Sequence, residues 1–218
     1  MLRFPSGGQM RLYGGGSRVL WLMGEEEYAF SDQLPEDTAL ISVSGQDWNR
    51  DFSPWPAEAV FRGQPFAGGA DEYLLRLTGE WMPQALERFG LRPSSQGILG
   101  YSLAGLFSLY ASVRTGSFPL TASVSGSLWF DGFLPWLEGR SLLVDGCYYF
   151  SVGDREKSAR NPRMARVEEC TRAAARWASS LSPRVCFRLE KGGHFQDPQL
   201  RLQNAVHYLL YEHEAQNG

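Results

Sequence analysis

Apolar runs bounded by glycines recur along this chain, and helix-periodic stretches separate most of them. "SRVLWLMG" (17–24), "TALISVSG" (38–45), "QGILGYS" (96–102), "LTASVSGSLWF" (120–130), "GCYYFSVGD" (146–154) and "RVCFRLEKGG" (184–193) read as strands. Several are continuous apolar runs rather than alternating ones, the mark of strands covered on both faces. Residues 71–90 have helical spacing: Leu74, Leu77, Trp81 and Leu86 share a face, Asp71 is the expected cap and Gly90 the stop. Pro83 predicts a kink or break there. Further helices are expected over 103–116, 162–181 and 197–215, the last with Asp197 as N-cap and Pro198 at the first helical position. Strands alternating with helices predict an α/β fold: a mostly parallel central sheet with helices on both faces. Residues 1–218 are read as one domain, with no internal repeat and no linker.

The interval 46–70 breaks the rhythm. It is rich in Pro, Gly and aromatic residues, so it reads as an irregular excursion packed on the domain. The chain's seven Trp and thirteen Phe can build a core or line an apolar pocket. A net charge of −3 gives no footprint for nucleic acid or an anionic membrane. Cys147, Cys170 and Cys186 lack metal or disulfide spacing and are expected to be buried free thiols. "MLRFPSGGQM" lacks the apolar core of a signal peptide, and no apolar run is long enough to span a bilayer. A cytoplasmic, soluble protein is the expectation; oligomeric state is not legible.

Ser102, in "ILGYSLAG", sits where a strand passes into a helix. It is either a helix cap or a nucleophile held on a sharp turn. Gly100-Tyr101-Ser102-Leu103-Ala104 closely follows the nucleophile elbow G-x-S-x-G, with Ala104 in the last place. A nucleophilic serine needs a base. Of three histidines, His207 and His213 fall in the last helix, whereas His194 follows "EKGG" at the end of the last strand. The order Ser, acid, His of α/β-hydrolases puts the base at that place. The acid belongs to the preceding strand end, where "SVGDREKS" offers both Asp154 and Glu156. An oxyanion hole would use the N–H of Leu103 and that of Glu25 or Gly24, after the strand 17–24. The side chains of Glu25, Glu26 and Glu27 are expected to point to solvent, since carboxylates oppose a developing oxyanion.

At these residues the chain resembles the esterase D-like branch of the α/β-hydrolases, which includes siderophore (enterobactin-type) esterases, feruloyl esterases and S-formylglutathione hydrolase. The resemblance runs from about residue 17 to about 212, carried by "VLWLMGEEE", "DWNRDFSPWP", "GILGYSLAGLFSLY", "SVGDREKSARNPRM" and "KGGHF". It implies the α/β-hydrolase fold, no metal and no organic cofactor. It also implies Glu156 as the acid, three residues after Gly153. Two departures stand out. Ala104 replaces a common glycine, and the chain is short; Arg50, Asp51 and Pro54 sit near the family's pattern after the second strand without fitting its spacing. The stretch between "SVSGSLWF" and "GCYYF" is too short for a separate cap domain. The lid must then come from small pieces.

The expected substrate-binding residues are therefore Trp48, Arg50, Phe52 and Trp55 from the first excursion, and Trp129, Phe130, Phe133 and Trp136 from the second. The sequence thus predicts a serine carboxylic-ester hydrolase working on a small-molecule ester through Ser102, His194 and Glu156. Acyl transfer by the same residues and a catalytically silent binding module are the alternatives.

Overall fold

The structure, a computed structural model, describes residues 1–29, 31–60, 63–142 and 146–212. Among the described residues, ten strands and seven α-helices follow in order: β1 (Leu2–Arg3), β2 (Gln9–Gly14), β3 (Arg18–Met23), β4 (Thr38–Ser44), α1 (Trp48–Asp51), β5 (Pro56–Ala57), β6 (Phe66–Ala67), α2 (Ala70–Arg76), α3 (Met82–Phe89), β7 (Ser95–Tyr101), α4 (Leu103–Thr115), β8 (Leu120–Val124), α5 (Phe133–Glu138), β9 (Cys147–Gly153), α6 (Val167–Ser179), β10 (Arg184–Glu190) and α7 (Pro198–His207). Eight strands form one sheet in the order β1-β2-β4-β3-β7-β8-β9-β10, and β5 pairs with β6 in a small hairpin. From β4 to β10 every neighbouring pair is parallel; β1 and β2 add an antiparallel edge.

The continuous apolar strands are explained by two cores. Val19, Trp21 and Met23 of β3 face one core with α2, α3, α4 and α6, while Leu20 and Leu22 face the other with α7. Each fully buried side chain of this kind contributes about 1.5–3 kcal/mol.

Several elements differ from the sequence reading. β1 and β2 were not expected: β1 is a two-residue edge strand, and "QMRLYG" beside it is only partly buried, so its apolar signal is weak. β8 ends at Val124, and the chain turns away at Ser125, whose φ is 45°. The helix expected from 162 starts at Val167, after a 3-10 turn over Met164–Arg166. Asp71 caps nothing; Gly69 holds that place, and the Asp71 carboxylate accepts from the Tyr110 hydroxyl at 2.7 Å. Pro83 does not break its helix. A π-helical turn over Leu77–Trp81 precedes it, and Met82 N–H donates to the Leu77 carbonyl. Asp197 stands at the N-cap of α7 but makes no capping bond. Cys147 and Cys170 are buried free thiols, whereas Cys186 is only partly buried.

The topology selects one rim. β4 lies on one side of β3 and β7 on the other, so the strand order reverses between β3 and β7. Crevices beyond the carboxyl ends of strands at such a point are where α/β sheets bind ligands. The loop after β3 and the turn after β7 both open there, and those after β8, β9 and β10 leave the same rim.

The β7–α4 approach depends on Gly100. A Cβ there would lie 2.5 Å from the Ala104 carbonyl oxygen, a backbone atom of the following helix. Gly100→Ala is expected to cost about 1–3 kcal/mol by overpacking, read by urea unfolding. A variant as stable as the wild type would contradict the close approach.

Candidate active site

Ser102 occupies the turn from β7 to α4 with φ 58° and ψ −124°, a left-handed conformation that side-chain-bearing residues rarely adopt. It stands at the N-cap position of α4 but makes no capping hydrogen bond, so the cap reading fails. The strained backbone is pinned from both sides. Ser102 N–H donates to the Val124 carbonyl at 3.0 Å, and the Ser102 carbonyl accepts from Gly105, Leu106 and Ser127 N–H at 3.0–3.1 Å. The side chain is thereby held out from the rim. Its Oγ lies 3.0 Å from His194 Nε2.

His194 sits in the loop from β10 to α7. Gly192 there has φ 101°, and its N–H donates to Asp154 Oδ1 at 2.8 Å. The His194 carbonyl accepts from the Tyr101 hydroxyl at 2.5 Å. On the other side of the ring, Nδ1 lies 2.7 Å from Glu156 Oε2. Glu156 therefore faces the imidazole, and Asp154 braces the turn that carries it. With Glu156 ionised, Nδ1–H donates to the carboxylate and Nε2 is left to accept from the serine hydroxyl. His207 closes α7 with its ring 5.0 Å from that of Tyr211, and His213 lies outside the described residues.

Glu156 is buried, yet it is well provided with donors. Its Oε1 accepts from Gly153 N–H at 2.7 Å, Ser125 Oγ–H at 2.8 Å and Arg201 Nη1 at 2.8 Å. Burial disfavours the charge, but hydrogen bonds from His194, the Gly153 N–H and the Ser125 hydroxyl, with the charge on His194, outweigh it and hold the carboxyl below its ordinary range. Arg201, only 2 % exposed, was not singled out by the sequence. Its guanidinium also bonds the Ser125 hydroxyl at 2.8 Å and the Lys191 and Gly193 carbonyls at 2.9 and 3.0 Å. One side chain of α7 thus ties the acid to the loop carrying the histidine.

Of the expected oxyanion donors, Gly24 is committed: its N–H donates to the Val43 carbonyl at 2.8 Å. Among the described residues, the Leu103 and Glu25 N–H groups donate to no protein acceptor. Both residues line the cavity at Ser102. The three glutamates separate. Glu27 pairs with Arg11 at 2.6 Å on the surface and Glu26 is exposed, but Glu25 is half-buried in the cavity wall. Burial raises the pKa of its carboxyl. The expectation that all three point to solvent is corrected for Glu25.

The cavity holds about 460 Å³ and reaches Ser102, His194 and Glu156. Of the expected binding aromatics, Trp48 and Trp129 line it. Arg50, Phe52, Trp55, Phe130, Phe133 and Trp136 are not among the lining residues. They are spent on packing and pairing. Phe52, Phe130 and Phe133 are buried in the core, and Arg50 pairs with Glu72 at 2.6 Å. Trp55 donates to the Asp131 carbonyl at 2.8 Å, and Trp136 packs on Phe133 and Tyr110. The rest of the wall comes from residues the sequence did not flag, among them Phe66, Val60, Met164, Val167, Asn49 and Gln64. Phe195, 86 % exposed, stands at the opening. Among the described residues, no cluster of three or more His, Cys, Asp and Glu could hold a metal ion, and no helix is long and apolar enough to cross a membrane.

No protein-family model matches the chain. Over 174 residues it is 28 % identical to the uncharacterized protein YbbA of Bacillus subtilis (strain 168), covering 76 % of this chain and 70 % of that one. Among solved structures, it is similar to an IroE-like serine hydrolase from Shewanella oneidensis, with TM-score 0.73, 18 % identity, and 91 % of this chain and 73 % of that chain covered. It is similar also to the siderophore hydrolase EstA from Aspergillus nidulans, with TM-score 0.69, 16 % identity and coverages of 93 % and 94 %. A third is the enterobactin esterase FES from Shigella flexneri, with TM-score 0.71 and 16 % identity; the match covers 93 % of this chain and 54 % of the esterase. The likeness establishes the α/β-hydrolase fold.

The Glu156–Arg201 pair has a measurable signature. A carboxyl with its folded pKa below the unfolded value stabilises the fold above the unfolded value, near 4.5, and that contribution is lost as pH falls through the folded pKa. Glu156→Gln leaves Arg201 buried without its counter-charge, at a cost of about 3–5 kcal/mol near neutral pH. The difference between wild type and variant in urea unfolding should shrink as pH falls below about 4.5. A difference that stays constant from neutral pH into strong acid would contradict the assignment.

Proposed function

We propose that the protein is a serine carboxylic-ester hydrolase in which Ser102 is the nucleophile, His194 the general base and acid, and Glu156 the group that orients and charge-balances the imidazole. One observation carries this reading. Ser102 Oγ, His194 and Glu156 form an unbroken hydrogen-bonded line, 3.0 Å and 2.7 Å, at the wall of a largely apolar cavity. A binding module would need neither the strained serine nor the aligned base.

In the first half-reaction Ser102 Oγ adds to the ester carbonyl carbon while its proton passes to His194 Nε2. The imidazolium that forms is held by the Glu156 carboxylate. The carbonyl oxygen becomes an oxyanion, received by the Leu103 and Glu25 N–H groups. Collapse of the adduct breaks the bond to the alcohol oxygen, which takes the proton from Nε2 and leaves. Water, deprotonated by Nε2, then adds to the acyl-enzyme; the second adduct releases the acid, and the proton returns to Ser102. The apolar wall suits an aliphatic or aromatic substrate group of modest size. The similar serine hydrolases and siderophore esterases are compatible with this chemistry on the same fold.

The test is turnover of p-nitrophenyl butyrate by wild type, Ser102→Ala and His194→Ala. Each variant is expected to lose about 10³-fold or more in kcat/KM. Glu156→Gln is expected to lose about 10²–10⁴-fold, because the imidazole loses its orienting charge. Equal rates in wild type and Ser102→Ala would sink the reading.

A further inference from the structure

We propose that Glu25 is the counter-charge for a cationic group on the substrate, so that this site selects amino- or ammonium-bearing esters over anionic ones. The inference rests on the ester-hydrolase reading and adds its substrate class.

Glu25 follows Gly24, whose φ of 82° turns the chain out of β3; the residue lines the cavity that reaches Ser102, and its carboxyl is partly buried. Its neighbours in the acidic run are accounted for elsewhere, Glu27 by Arg11 and Glu26 by solvent exposure. Glu25 itself makes no ion pair or hydrogen bond with any described residue, and burial alone acts on its carboxyl. The other charged groups of the wall are occupied with each other: Glu156 bonds His194 and Arg201. No Lys or Arg is among the described lining residues. Among the described lining residues, the Glu25 carboxylate therefore has no counter-charge.

A half-desolvated carboxylate without a partner is costly, and an ammonium group is the ligand that removes the cost through a charge-assisted hydrogen bond or ion pair. The surroundings suit the same chemistry. The Trp48 ring lies against Gly24, so close that a Cβ there would be 2.6 Å from Trp48 Cζ3. Phe66, Trp129 and Phe195 add further aromatic surface to the wall. Aromatic faces attract ammonium groups and give nothing to carboxylates. Position within the reaction adds a second effect. The Glu25 N–H is the proposed oxyanion donor, so its own carboxylate opposes the developing negative charge from a few bonds away. A bound cation cancels that opposition, and the gain falls in the transition state.

Three p-nitrophenyl esters matched in length test this at pH 7.5 and low ionic strength. They are the 4-(trimethylammonio)butanoate, its uncharged isostere 5,5-dimethylhexanoate, and the glutarate monoester. Wild type is expected to prefer the cationic ester to the uncharged one by about tenfold or more in kcat/KM, and to handle the anionic one worst. Glu25→Gln is expected to bring the cationic-to-uncharged ratio within about threefold. Wild-type turnover that ignores charge, or that favours the glutarate ester, overturns the inference whether or not the variant folds. An unchanged ratio in a folded Glu25→Gln variant overturns it too. If wild type hydrolyses none of the three, nor p-nitrophenyl butyrate, the ester-hydrolase reading falls and takes this one with it. Charge-blind hydrolysis sinks this one alone.

Discussion

The site is organised around one buried negative charge. Glu156 collects donors from four directions: the Gly153 N–H at the end of β9, the Ser125 hydroxyl after β8, the Arg201 guanidinium from α7 and the His194 ring from the loop between β10 and α7. A carboxylate this deep would be ruinous alone. With every oxygen occupied it becomes the point at which three strand ends and a helix are fixed relative to one another. Removing either member of the Glu156–Arg201 pair would leave the other charged and buried. The pair is thus better understood as a device for placing His194 than as a source of net stability.

That placement is matched by strain on the opposite side. Ser102 and Ser125 both carry positive φ without being glycine. Both are held by backbone bonds to the next strand: Ser102 N–H to Val124, and Ser125 N–H to Ser151 at 2.8 Å. Strained residues persist only where their surroundings over-determine them. Here each strained turn presents a hydroxyl inward, one to His194 and one to Glu156. The parallel sheet makes this economical, because all the relevant strands end on one rim.

Much of this was legible in the sequence. The continuous apolar strands, the Gly-flanked Ser102 and the late His194 each follow from local patterns with a mechanical reason. The residues after β9 did not decide between Asp154 and Glu156, because both carboxylates follow the strand within three positions; the resemblance to known hydrolases chose Glu156, and the 3-10 turn over Glu156–Ser158 shows how it is aimed inward. Arg201 was illegible since "QLRLQN" reads as an ordinary helix with a solvated polar face. The aromatic residues misled for the opposite reason. Phe52, Phe130 and Phe133 have the composition of a pocket wall and the position of a core, and composition does not distinguish them. Glu25 is expected in solvent because a carboxylate opposes a developing oxyanion, whereas after the turn at Gly24 it stands half-buried in the cavity wall.

In the proposed mechanism Ser102 is activated by the line running through His194 to Glu156. Labelling with a fluorophosphonate probe, followed by peptide mass spectrometry, tests it most directly, because the probe reports nucleophilicity without requiring the natural ester. A single adduct on Ser102 is expected in the wild type, with much slower labelling in His194→Ala and none in Ser102→Ala. A folded wild type that resists the probe, or one modified at another residue while Ser102 stays free, would contradict it.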